Sequence, residues 1–142
     1  MSIFVDTGVF FAHHDADAER HADAVVAFDD LLDGEYGQPY TSDYVLDETV
    51  TLTRVRTGSF DAADAVASRI LGENPFPNVF ETIHVEPDDV RASMETLRRY
   101  DDHELSFTDA SSIHLCDSRG IDVMLSFDDD FDGLVERVEP GH

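Results

Sequence analysis

The sequence predicts a single α/β domain over residues 1–142, with a mainly parallel sheet of about five strands sandwiched between helices. Three observations carry that reading. The runs Ile3-Phe4-Val5 and Val123-Met124-Leu125-Ser126-Phe127 are short and lack polar alternation, the pattern of strands buried on both faces. The segments between the strand-like runs repeat apolar residues every three or four positions, which is the helical period. Strands that alternate with helices need crossover connections, and these produce a parallel sheet. A chain of 142 residues and 15.8 kDa is expected to bury roughly two-thirds of its unfolded surface around one core.

Residues 2–6 read as the first strand. The start MSIFVDTGVFFAHHD is apolar but lacks a basic leader region and a small-residue cleavage site. A helix is predicted over about 16–33, with Ala18, Ala22, Val25, Phe28 and Leu32 on its spacing and Gly34 at its stop. A short strand at 38–41 follows. The helix at about 43–57 has Gly58 as its C′ residue, and that at 60–71 (Phe60, Ala63, Ala67, Ile70) ends at Gly72. Residues 79–85 read as a strand. Pro87 then opens a helix with Asp88 and Asp89 at its positive end and Arg98 and Arg99 at its negative end. A helix at 107–118, a strand at 122–127, a short turn or helix and a strand near 134–138 complete the order. In such sheets ligands bind beyond the carboxyl ends of the strands, where Asp6 and Asp128 both fall.

The chain carries 32 acidic and nine basic residues, a net charge of -23. The nine are all arginine, and lysine is absent. A hydrophobic content of 42% and clear periodicity argue against disorder. Acid spread over the whole chain fits adaptation to molar salt, where the Debye length is ~3 Å and self-repulsion is screened. At such salt a negative surface does not exclude a nucleic-acid partner. No apolar stretch approaches the ~20 residues of a membrane helix, and Cys116, the single cysteine, excludes an internal disulfide. A cytoplasmic protein is expected. The absence of lysine excludes a P-loop and a phospho-receiver site. Gly8 stands where a haloacid-dehalogenase phosphatase needs its second Asp. His13, His14 and His21 come with no HExxH and no paired cysteines, so zinc has no support.

Four acids stand out by context. Asp6 ends the first apolar run and Asp128 the one at 123–127. Glu48 lies on the stripe Val45, Leu52, Val55, and Asp109 lines up with Ile113 and Cys116. Carboxylates driven toward an interior must be paired, neutralised or bound to a cation. With so few bases, a hard divalent cation is the readiest partner. Each acid also has a structural alternative: a turn cap for Asp6, a buried arginine for Glu48, and a capping box with Ser106 for Asp109.

Residues 128–139 (DDDFDGLVERVE) match the EF-hand calcium loop at Asp128, Asp130, Asp132, Gly133 and Glu139. The context contradicts that match: a strand precedes it, and Pro140 follows where an exiting helix would begin.

The segments IFVDTGVF, TSDYVLDETVTL, LSFTDASS and MLSFDDDF, in this order within an alternating strand–helix chain, resemble the PIN domain family, specifically its small VapC-like toxins. The resemblance spans essentially the whole chain. It implies an α/β/α sandwich and single-stranded RNA cleavage by a metal-activated water, with Mg²⁺ or Mn²⁺ held by Asp6, Glu48, Asp109 and Asp128. It also implies accessory roles for Thr7 and, less directly, Asp130, together with a homodimer and a small antitoxin protein. Arg54, Arg56, Arg98 and Arg99 are the candidate substrate contacts. An RNA-processing nuclease or a binding module of little activity are the other functions the fold accommodates.

Overall fold

A computed structural model describes residues 1–141. The chain runs β1 (Ser2–Val5), α1 (Thr7–His14), α2 (His21–Leu32), β2 (Gln38–Ser42), α3 (Asp43–Thr57), α4 (Phe60–Leu71), β3 (Glu81–Ile83), α5 (Pro87–Arg99), α6 (Phe107–Ser118), β4 (Val123–Leu125) and β5 (Arg137–Val138), with a 3₁₀ turn at Asp129–Phe131 before β5. The five strands form one sheet in the order β3-β2-β1-β4-β5, and every pairing is parallel. Helices cover both faces, giving the three-layer α/β/α sandwich. No helix among the described residues is long and apolar enough to cross a membrane.

The central strand explains the unalternating run at the start: Ile3, Phe4 and Val5 are all fully buried, as a strand with helices on both sides requires. Met124 and Leu125 of β4, Phe10 of α1 and Phe131 of the 3₁₀ turn complete the deepest part of the core. Phe10 meets Phe28 and Phe80 edge-on, with ring centroids 5.9 and 5.0 Å apart. Phe80, just ahead of β3, thereby anchors that short strand to α1 and α2.

Helices α3, α4 and α6 match their predicted spans and α5 its predicted start, and their ends show why. Gly58 and Gly72 sit at φ 66° and 70°, the left-handed conformation that closes a helix at little cost only for glycine. Pro87 opens α5, and Ser106 caps α6. Two other expectations are corrected. Residues 7–14, to which the sequence reading assigned no element, form α1. Thr7, Val9, Phe10, Phe11 and Ala12 are all buried, so α1 lacks the one-sided stripe that marks a helix. The helix predicted from 16 starts only at His21, and its buried line is Ala24, Ala27, Phe28 and Leu31, with Leu32 exposed. In α4 the buried line is Ala63, Val66 and Ile70, and Phe60 is exposed.

Candidate active site

The strand order reverses between β1 and β4, the switch point at which parallel sheets open a crevice. Asp6 is the residue after β1, its N–H donating to Leu125 O of β4 at 3.1 Å. Asp128 lies just beyond β4. Glu48 comes from the first half of α3, which Ser42 caps through a 3.1 Å bond from Val45 N–H to Ser42 Oγ. Asp109 comes from the first turn of α6. All four carboxylates border one open cleft of about 720 Å³, together with Thr7, Arg20, Phe127 and Arg137 among others.

The stripe predicted around Glu48 divides in the structure: Val45 faces the core, Glu48 and Leu52 border the cleft, and Val55 faces solvent. The buried line is Val45, Thr49 and Thr53, while Leu52 borders the cleft and Val55 is 76% exposed. Thr49 takes a core position because its hydroxyl donates to Val45 O at 2.7 Å, satisfying the buried polar group within the helix. Among the described residues no arginine lies within ion-pair distance of Glu48, so the buried-pair alternative for it has no partner.

Asp109 does form the capping box expected with Ser106. Its N–H donates to Ser106 Oγ and its Oδ2 accepts from Ser106 N–H, both at 3.0 Å. The cap engages Oδ2, and no hydrogen bond engages Oδ1 among the described residues. Asp128 Oδ1 accepts from Asp130 N–H at 2.9 Å. Ser126, a residue the sequence reading passed over, joins the two strand-end acids. Its hydroxyl donates to Asp6 Oδ2 at 2.8 Å and accepts from Asp128 N–H at 3.0 Å. The available signal was a lone hydroxyl inside the apolar run 123–127.

The charges of the four acids interact. Burial pushes the Asp6 carboxyl up to about 7, Asp109 and Glu48 add to the rise, and the Ser126 hydroxyl opposes it. Burial also raises Asp109, with Glu48 and Asp128 repelling its charge and the two Ser106 bonds holding it down. The Thr7 hydroxyl is buried with no hydrogen-bond partner among the described residues. Four carboxylates without an ion-pair partner among the described residues and an orphaned hydroxyl form an all-oxygen set, the chemistry suited to a hard divalent cation. The residues present fit Mg²⁺ or Mn²⁺.

Asp130 is not among the residues bordering the cleft, where Asp129 is. Its carboxylate converges with those of Asp128 and Asp129, with oxygens within 4.8 Å of one another. The EF-hand match dissolves in three dimensions. Residues 129–131 form a 3₁₀ turn, 137–138 form β5, and Asp132 is bound by Arg137 at 2.7 and 3.1 Å.

Arg54, Arg56, Arg98 and Arg99 are exposed on α3 and α5, and none borders the cleft. The arginines that do are Arg20 and Arg137. Neither carries a spacing signal, since one arrives from the turn before α2 and the other from the edge strand. Asp89 was read as an ordinary helix-start acid. It instead accepts from Arg119 Nη1 at 2.8 Å and Nη2 at 3.0 Å, and contacts His114 Nε2 at 2.8 Å, which clamps the start of α5 to α6.

Comparison with known proteins places this geometry. Residues 3–136 match the PIN domain family. The 23S rRNA-specific endonuclease VapC20 of Mycobacterium tuberculosis is 35% identical over 136 residues, covering 94% of this chain and 96% of that protein. Its crystal structure, described as a sarcin-ricin-loop-cleaving toxin, superposes with a TM-score of 0.80 over 97% of this chain and 99% of that one. A VapC ribonuclease of Archaeoglobus fulgidus is 26% identical over 113 residues, covering 79% of this chain and 68% of that protein. The VapBC2 complex of Rickettsia felis, at 9% identity, shares the fold with a TM-score of 0.70, each chain covered to 99%. The chain therefore belongs to the PIN domain family, and its kinship across nearly its full length is to the VapC toxins within it.

Proposed function

We propose that this protein is a divalent-cation-dependent endoribonuclease of the VapC type. The observation that carries the reading is the convergence of Asp6, Glu48, Asp109 and Asp128 on one cleft at the sheet's switch point, with Asp6 buried among like charges. These four would hold Mg²⁺ or Mn²⁺, with the unpartnered Thr7 hydroxyl beside them. A bound cation supplies charge neutralisation at the phosphate and a water acidic enough to attack near neutral pH. The chain's own contribution is placement. Ser126 fixes the Asp6 carboxylate and the backbone of Asp128, the Ser106 cap fixes Asp109, and α3 presents Glu48 from the facing side. Asp130 is an accessory, since its N–H engages Asp128 and its carboxylate meets those of Asp128 and Asp129 at the margin of the cleft.

The kinship with VapC20 supports a structured ribosomal RNA loop as the substrate class. The toxin–antitoxin complexes that share the fold support a small protein antitoxin as partner. A homodimer, a cytoplasmic location and a requirement for molar salt belong to the same reading. The retained four-acid set favours an active nuclease over a binding module.

The test is incubation with structured RNA in molar KCl, with Mg²⁺ or Mn²⁺ against EDTA. Cation-dependent internal cleavage is expected. Cation-independent cleavage, or none on any RNA, contradicts the proposal. Sedimentation in the same buffer reads the oligomeric state.

A further inference from the structure

We infer that Arg20, held over the ring of Phe127, is the cation through which this cleft grips the RNA backbone. The inference rests on the nuclease reading and adds the substrate contact that reading lacks. Besides the four site acids, the cleft is bordered among the described residues by Asp129, Asp132 and Glu139, against two arginines. A polyanion entering such a cleft needs a cation that the protein has not already neutralised.

Arg137 is committed. Its Nε and Nη2 bind the Asp132 carboxylate at 2.7 and 3.1 Å, its Nη1 donates to Ser126 O at 3.0 Å, and Glu139 lies 3.8 Å away. Its side chain is 12% exposed. Arg137 therefore joins the acidic turn to β4 and has little charge to offer a ligand.

Arg20 is the opposite case. It is exposed and, among the described residues, has no carboxylate within ion-pair distance and makes one long bond, from Nη1 to Phe127 O at 3.4 Å. Its guanidinium lies 4.9 Å from the centroid of the Phe127 ring. Stacking on an aromatic face orients a guanidinium while leaving most of its five N–H donors open. The planar fork then matches the two oxygens of a phosphate with little further loss of side-chain freedom. Phe127 stands between Ser126, which binds Asp6, and Asp128. The platform thus tethers the guanidinium beside the acids, where the phosphates flanking a scissile bond would run.

The experiment is single-turnover cleavage of a labelled RNA hairpin with Mn²⁺ over a KCl series, using wild type, Arg20→Ala, Arg20→Lys and Phe127→Leu, each checked by thermal melting. For Arg20→Ala the half-saturating protein concentration is expected to rise about tenfold or more, with the saturating rate little changed. The slope of log affinity against log salt should fall by about one. Arg20→Lys should keep the slope and recover part of the affinity, and Phe127→Leu should weaken affinity less than Arg20→Ala. Arg91→Ala, an exposed arginine paired with Asp88, should match wild type.

Unchanged affinity and slope in Arg20→Ala, or a loss confined to the saturating rate, overturns the inference. So does finding the affinity loss in Arg54, Arg56, Arg98 or Arg99 variants instead. A wild type that does not cleave with any cation overturns the nuclease reading itself, which separates the two failures.

Discussion

The Ser126 hydroxyl donates to Asp6 Oδ2 at 2.8 Å, joining the end of β4 to the acid that follows β1. Both residues are buried, and Ser126 Oγ also accepts the Asp128 N–H at 3.0 Å. One hydroxyl thus sets the spacing of two acids that belong to neighbouring strands and are distant in sequence. It also favours the charged form of Asp6, against the burial and the like charges that disfavour it.

Ser126→Ala should therefore weaken the site without dismantling the fold. Orienting partners of metal ligands typically contribute 10–100-fold in affinity, so about that loss of Mn²⁺ binding is expected by calorimetry. Melting in EDTA should show a smaller cost, about 1–3 kcal/mol. Wild-type Mn²⁺ affinity in this variant would show that the bond is packing alone.

Asp6 makes the metal-free protein sensitive to pH in a definite direction. Its carboxyl rises from the ordinary 3.8 to about 7 in the folded state, so folding favours the protonated acid. That stabilisation is complete below about pH 4 and is lost as pH rises through about 7, a change on the order of a few kcal/mol. Thermal melts in EDTA should show wild type losing stability over this window relative to Asp6→Asn, which cannot ionise. Parallel curves for the two proteins would contradict the assignment.

Asp89 acts in the opposite sense. Arg119, the Glu86 N–H and His114 hold its carboxyl well below the ordinary carboxylate value. Its contribution is present above about 3.8 and is lost as pH falls below it. Asp89→Asn removes the charge that Arg119 and His114 address across the α5–α6 contact. It should cost about 1–3 kcal/mol at neutral pH and flatten the acid limb of the stability curve. Melts of the two proteins between neutral and acidic pH read this directly, and an unchanged acid limb would locate the acid sensitivity elsewhere.

Much of the fold was legible because its helices are punctuated by residues with one local meaning. Gly58, Gly72, Pro87 and Ser106 act within a turn of themselves, and they mark the helices whose ends agree with expectation. α1 was hidden by being buried on most of its surface, and periodicity reports only one-sided burial. The four acids were visible because each interrupts an apolar pattern. The stripe around Glu48 mixes the core residue Val45 with Glu48 and Leu52 at the cleft, a distinction that spacing cannot make, since a cleft edge and a core face share the same period. Arg20, Arg137 and the Asp89–Arg119 pair depend on contacts between elements far apart in sequence, and no local pattern announces them.

Asp109 combines a cap with a place in the cleft, whereas Glu48 has the place in the cleft alone. Asp109→Ala removes one half of the α6 capping box and should cost about 0.5–2 kcal/mol in EDTA. Glu48→Gln breaks no ion pair, so it should be neutral or mildly stabilising in EDTA, as relief of repulsion requires. Both variants should lose most of the rise in melting temperature that Mg²⁺ gives wild type, since only cation binding to the native state produces it. A normal Mg²⁺ shift in either variant would remove that residue from the site.

The most direct test of the four-acid site is a calorimetric Mn²⁺ titration in molar KCl of wild type and the single variants Asp6→Asn, Glu48→Gln, Asp109→Asn and Asp128→Asn, with Asp129→Asn alongside. One cleft built from β1, α3, α6 and the end of β4 predicts that each of the four loses about tenfold or more in affinity, while Asp129→Asn stays near wild type. Near-wild-type binding in the Asp6, Glu48 and Asp109 variants, with binding lost in Asp128→Asn and Asp129→Asn, would place the cation in the acidic turn and contradict the account.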